Sequence, residues 1–188
     1  MSWIVLLAGI ALWWGAHLFK RVAPERRAAM GEAGKGPVAL ALFAAVILMV
    51  IGYRWTPYVS IWVPPLFFTG INNLLILVAI YLMSPAPKKG ALLNFMRHPM
   101  LTGFALWAFG HLLVNGDLTA IVTFGALLAW AVAEVRVINA AEPGWSPAPK
   151  GSLRFDAIFA VASVVGLLAI GLIHYLLGVW PFSGAPPF

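Results

Sequence analysis

Six side chains stand out in this 188-residue chain: His17, Arg97, His98, His111, Glu134 and His174, ionisable groups within or at the ends of strongly apolar runs. Ionisable groups at membrane depth are costly and are read first as functional. The chain has no cysteine. That excludes disulfides, thiolate nucleophiles, iron–sulfur clusters and thiolate-ligated metals. Neutral imidazole is a good axial ligand for haem iron, and helices rich in Phe and Trp suit a porphyrin. Zinc prefers closely spaced ligands such as two histidines at i and i+4, and that pair is absent. There is also no phosphate loop, no Gly-x-Ser-x-Gly elbow and no paired-carboxylate motif.

The elements that must position these groups follow from composition. The chain is 62% hydrophobic and 10% charged, with a mean hydropathy of +0.93, whereas soluble domains carry roughly a quarter charged residues. A soluble fold is excluded. Lipid cannot satisfy an unpaired backbone amide, and the apolar runs lack strand alternation, so they are expected to be helices. The expectation is an all-α, polytopic transmembrane bundle forming a single domain over residues 1–188. About six spans are expected, at Ser2–Phe19, Pro37–Arg54, Pro65–Ser84, Met100–Asn115, Leu118–Ile138 and Phe155–Val179. The first run lacks a positive n-region and an Ala-x-Ala-like cleavage site, so it is expected to be retained.

The net charge of +6 bears on topology rather than on nucleic acid, which is not an expected partner. Lys20, Arg21, Arg26, Arg27 and Lys35 follow span one. Lys88, Lys89 and Arg97 follow span three, and Arg136, Lys150 and Arg154 follow or end span five. Only Arg54 falls on the opposite side. The positive-inside rule therefore places these loops in the cytoplasm and both termini outside, in the periplasm. Trp55, Tyr58, Trp62 and the Trp180-Pro-Phe stretch are expected to be interfacial aromatic anchors.

Spans four and five are joined by the short Asn115-Gly116-Asp117 turn and form a hairpin. His98 and Glu134 each lie eighteen residues from Gly116, so they reach similar depth on antiparallel helices. His17 ends span one on the same side. His17, Arg97, His98 and Glu134 are thus expected to converge, with Arg97 or His98 the partner of Glu134; a structural ion pair explains them equally well. His111 lies about 20 Å beyond His98 and about 220° around the helix, at the depth of His174. Asn72 and Asn73 are expected to make interhelical hydrogen bonds.

The stretches His17-Leu-Phe-Lys-Arg, Lys35-Gly-Pro-Val-Ala-Leu-Ala-Leu, Gly52-Tyr-Arg, Arg97-His-Pro, Gly110-His-Leu-Leu-Val-Asn-Gly-Asp and Glu134-Val resemble the NnrU family of bacterial membrane proteins across nearly the whole chain. That resemblance implies an inner-membrane location and a role in denitrification and nitrogen-oxide metabolism. NnrU proteins are in turn similar to zeta-carotene isomerase, a haem b membrane enzyme that isomerises a polyene. This implies haem b ligated by His17 and His111, with His98 in support. Depth along straight helices favours His17 with His98 as the alternative pair, because His17 and His111 differ in depth by roughly 10 to 15 Å. The isomerase has a cysteine where this chain has Ala108, so ligand switching through that thiol is impossible.

The Arg97-His-Pro-x-x-x-Gly103 segment followed by Glu134 also resembles isoprenylcysteine and phospholipid methyltransferases. This similarity implies S-adenosylmethionine as the alternative cofactor, held by Arg97, His98 and Glu134. Here Asn139-Ala-Ala-Glu142 stands where those enzymes carry paired carboxylates. The expected partners are the bilayer, a lipophilic small molecule and a respiratory or denitrification membrane complex. A haem-dependent isomerase, a methyltransferase and a non-enzymatic assembly factor remain open.

Overall fold

A computed structural model describes residues 1–184. Among them the chain is helical: α1 (Ser2–Val22), α2 (Pro24–Ala29), α3 (Lys35–Trp55), α4 (Phe68–Met83), α5 (Ala86–Lys89), α6 (Pro99–Val114), α7 (Leu118–Ala141) and α8 (Leu153–Leu176), with one 3-10 turn at Glu32–Gly34. The all-α expectation holds. Four segments are long and apolar enough to cross a membrane: α1, Glu32–Trp55, α7 and α8. The other two apolar helices, α4 and α6, have 16 residues each, about 24 Å at 1.5 Å per residue against a hydrocarbon core of about 30 Å.

Two of the expected boundaries shift for local reasons. Pro64 and Pro65 do not begin α4 directly. Pro65 instead heads a turn, accepting from Phe68 N at 3.0 Å, and the helix starts at Phe68. Past Phe19, α1 continues to Val22 and then gives way to α2, which begins with Pro24 at its first position, where a missing N–H costs nothing.

The helices pack as α1 along α3 and α4 along α6, with α7 returning against α6 and α8 lying on α4. Close approach depends on residues without side chains. A Cβ on Gly9 would stand 2.7 Å from Met49 N, one on Gly103 would stand 2.7 Å from the Ala79 carbonyl oxygen, and one on Gly52 would overlap the Leu6 backbone. The core gathers Leu6, Ile10, Met49, Ala108 and Leu127, with Trp3, Trp13, Trp14, Tyr53, Phe104 and Trp107 packed around them.

Opposite the basic loops, the α6–α7 turn is buttressed by the segment after α3. Ile61 N and Trp62 N both donate to the Gly116 carbonyl, at 2.8 and 3.1 Å, and Leu118 N donates to Val59 O at 2.9 Å. Asp117 caps α7 by accepting from Ala120 N. Trp62 is therefore partly covered, whereas Trp55 and Tyr58 remain exposed.

Gly52→Val should cost about 1–3 kcal/mol by overpacking the α1–α3 contact. Gly15→Ala, which meets open space, should be neutral or slightly stabilising. Thermal unfolding in detergent checks the pair, and equal midpoints would show that the close contact is not limiting.

Candidate functional site

Three helices bring the chemistry to the end of the bundle that carries the basic loops. Successive contacts of Trp14 with Ala126, His17 with Trp130 and Arg21 with Glu142 run in the same direction, so α1 and α7 are parallel and α6 is antiparallel to both. On α1, Trp13, His17 and Arg21 recur every four residues. On α7, Trp130, Glu134, Ile138 and Glu142 do the same. Four-residue spacing stacks each set on one helix face. Arg97 and His98 precede α6, where Pro99 opens the helix and fixes where it starts.

His17 sits between two indoles, 4.2 Å from the Trp13 ring and 4.4 Å from the Trp130 ring, and Phe104 lies against both at 5.8 and 5.0 Å. Within this cluster Trp13 Nε1 and Trp130 Nε1 are buried without hydrogen-bond partners. One turn beyond Trp130, Glu134 Oε2 is likewise unpartnered. Arg21 is the cation that acts on Glu134. The sequence expectation that Arg97 or His98 pairs with Glu134 is not met by any hydrogen bond. His98 Nε2 lies 2.8 Å from Asn139 Oδ1, and Arg97 donates to the Glu142 carbonyl. Both reach the last turn of α7 rather than its middle, because they lie ahead of Pro99 and outside α6.

Beneath the aromatic cluster lies an open cavity of about 270 Å³, lined by Arg97, His98, Ile138, Glu142, Gly144 and Trp145. Glu142 bonds Arg21 at 2.7 Å. That hydrogen bond and charge, reinforced by Lys20 and Arg97, hold the Glu142 carboxyl below its ordinary range. In the sequence Arg21 stands only among the topological charges and Glu142 only as a departure from the methyltransferase motif, and their pairing is not announced. The four-residue ladders on α1 and α7 were the signal that could have found them.

His111 lies elsewhere. Its ring stacks on Phe124 at 4.6 Å and meets Trp107 at 4.9 Å in a tilted contact, and His174 is near enough to act on it electrostatically. From the level where Trp13 meets Phe104, His17 lies four residues toward the basic end and His111 seven residues toward the hairpin turn. They are separated by roughly 15 Å along the axis. Phe104 and Trp107, with centroids 5.1 Å apart, fill the space between. In each of His17, His111 and His174, Nδ1–H donates to the carbonyl four residues earlier. A carbonyl only accepts, so Nε2 of each neutral ring keeps its lone pair. Among the described residues no three His, Asp or Glu side chains cluster to hold a metal ion. Asn72 Nδ2 reaches Asn73 Oδ1 at 3.3 Å instead of a neighbouring helix, and Asn72 Oδ1 packs where Gly110 lacks a side chain.

The model of the NnrU protein family matches residues 5–181, most of the chain and every residue of the cleft. This chain belongs to the NnrU family. No curated protein and no solved structure gives a significant match. The similarities to zeta-carotene isomerase and to the methyltransferases therefore rest on the motifs quoted above. For this NnrU protein the residues at issue remain His17, Arg97, His98, His111 and Glu134, of which all but His111 lie at the basic end.

The Arg21–Glu142 pair gives a pH dependence with a definite sign. A carboxyl whose folded pKa lies below its unfolded value stabilises the fold above the unfolded value, and the stabilisation is lost as pH falls through the folded one. Between about pH 6 and about pH 3 the parent should lose more thermal stability than Arg21→Ala. Parallel curves for the two proteins would show that the pair contributes nothing.

Proposed function

We propose that this NnrU protein is a six-span protein of a bacterial cytoplasmic membrane, with both termini outside, that binds a small zwitterionic ligand of the S-adenosylmethionine class at its cytoplasmic end. Eleven of the twelve Lys and Arg residues lie at or beyond one end of the spans, Arg54 being the exception, which supports the orientation. Short spans such as α4 and α6 are accommodated by local thinning of the bilayer at modest cost.

The observation that carries the ligand assignment is the cavity at Arg97, His98, Glu142 and Trp145. A guanidinium there suits a carboxylate, the Glu142 carboxylate suits an ammonium or sulfonium, and the indole offers a face for an adenine ring. S-Adenosylmethionine carries all three features and, when bound, supplies an electrophilic methyl group. The apolar helices around the cavity favour a lipophilic small molecule as second substrate.

Bis-histidine haem b, the cofactor implied by the isomerase similarity, suits the imidazoles chemically, because each keeps a free Nε2. Their placement does not fit. Two axial ligands must face each other across one iron, yet Phe104 and Trp107 stand between His17 and His111. The alternative partner, His98, directs its Nε2 to Asn139. Polyene isomerisation would need that haem. A role in nitrogen-oxide metabolism remains part of the proposal as the physiological setting, supported by the family resemblance.

Calorimetric titration of the detergent-purified protein with S-adenosylmethionine tests this reading, with an absorption spectrum of protein expressed under ample haem as its counterpart. Saturable binding, weakened about tenfold or more by Arg97→Ala and by Trp145→Ala, is expected, a loss of at least about 1.4 kcal/mol. A stoichiometric b-type spectrum that disappears in His17→Ala would overturn the assignment in favour of haem. A folded protein that binds neither would overturn it in favour of an assembly factor.

A further inference from the structure

A second cavity, of about 630 Å³, lies on the outer surface between α4 and α8, away from the cleft described above. Its walls are apolar, formed by Leu77 and Val78 of α4, Leu93 of the following loop, and Ala157, Ala160 and Val164 of α8. The small Ala157 and Ala160 make the groove, and the helices on either side are apolar along their length. At its foot, Asp156 and Tyr81 form a closed polar contact. Asp156 accepts from Tyr81 Oη at 2.7 Å and from Ala91 N at 2.6 Å, and only 4% of its surface is exposed. Its negative charge is therefore turned inward.

The same contact sets the charge at the mouth of the groove. Gly151 N donates to Gly90 O at 2.9 Å and Ser152 N to Lys89 O at 3.1 Å, so the loop after α5 is stitched to the start of α8. This brings Lys88 and Lys89 beside Lys150 and Arg154. Among the described residues the ion pairs are Arg21–Glu142 and Lys35–Glu32, so none of these four cations is paired with a carboxylate. Lys89 Nζ lies 5.9 Å above the Phe155 ring. Among the described residues that line the groove, the only carboxylate is Asp156, already engaged.

We propose that this groove is a binding site for an anionic glycerophospholipid, with one acyl chain along Leu77, Ala157 and Ala160 and the phosphate head among Lys88, Lys89, Lys150 and Arg154. The occupant must be amphiphilic, because an apolar channel ends in a cluster of unpaired cations. A second copy of this chain would oppose that cluster with its own, and like charges repel. Phosphate with an attached acyl chain satisfies both halves, because basic residues near the membrane surface attract anionic headgroups.

Titration of delipidated protein with phosphatidylglycerol or phosphatidylcholine, read by native mass spectrometry and by thermal midpoint, tests the site. Phosphatidylglycerol should be retained about tenfold more strongly and should raise the midpoint. The triple variant Lys88→Gln, Lys89→Gln, Arg154→Gln should lose that preference. Ala160→Phe, on an exposed face, should lose retention while keeping every charge. Equal retention of the two lipids would overturn the site, as would undiminished retention by Ala160→Phe. An equal rise in midpoint with inorganic phosphate alone would show an anion site without a chain and overturn the lipid assignment. Retention of a protein partner that phosphatidylglycerol does not displace would assign the groove to that partner instead.

Discussion

The structure depends on close approach between helices whose surfaces are equally apolar. In lipid, burying one leucine against another gains little over burying it against an acyl chain, so association comes from van der Waals packing at small residues and from interhelical polar contacts. The α1–α3 pair meets at Gly9 and Gly52 and the α4–α6 pair at Gly103, each with the partner backbone where a side chain would stand. These two pairs are the most intimate in the bundle. They set the spacing into which α7 fits, and with it the positions of the indoles and imidazoles.

What fills that space decides the chemistry. Trp13, Phe104, Trp107, Trp130 and Phe124 form a continuous aromatic column between α1, α6 and α7, with neighbouring centroids 5 to 6 Å apart, the separation at which edge-to-face and offset contacts are favourable. The column carries His17 near one end and His111 near the other. Neither ring is free to swing toward its counterpart without displacing an indole, and each is held by its own helix carbonyl. Among the described residues six buried side-chain polar atoms lack a hydrogen-bond partner, and three of them, Trp13 Nε1, Trp130 Nε1 and Glu134 Oε2, lie where the column meets the basic end of the bundle.

Much of the fold was legible because hydropathy in a membrane chain reports directly on secondary structure: runs from Ser2, Pro37, Leu118 and Phe155 reappear as long helices with shifts of a few residues. Boundaries next to proline were harder. Pro65 looked like a helix start but heads a turn, and α4 begins at Phe68. At the site, depth arithmetic from Gly116 put His98 and Glu134 at one end of the hairpin, yet it could not tell that Pro99 leaves Arg97 and His98 beyond α6, free to reach Asn139 and Glu142. Glu142 escaped assignment because its partner, Arg21, is 121 positions away, and only the four-residue ladders on the two separate helices hint at such a pair.

The basic residues show how one sequence feature takes on separate physical roles. As a group they gather at one end of the helices, a property of the loops that does not depend on contacts. Individually they divide. Arg21 reaches a carboxylate and Arg97 the carbonyl of the same residue, so both guanidiniums gather at the mouth of the cleft between α1, α6 and α7. Lys88, Lys89, Lys150 and Arg154 stand where the nearby carboxylate is committed to Tyr81 and Ala91. The difference lies in where Glu142 and Asp156 point: one faces an arginine across the cleft, the other closes a loop from inside. The bundle thus has one mouth where charges of both signs meet and one that remains positive, although the same topological signal supplied both.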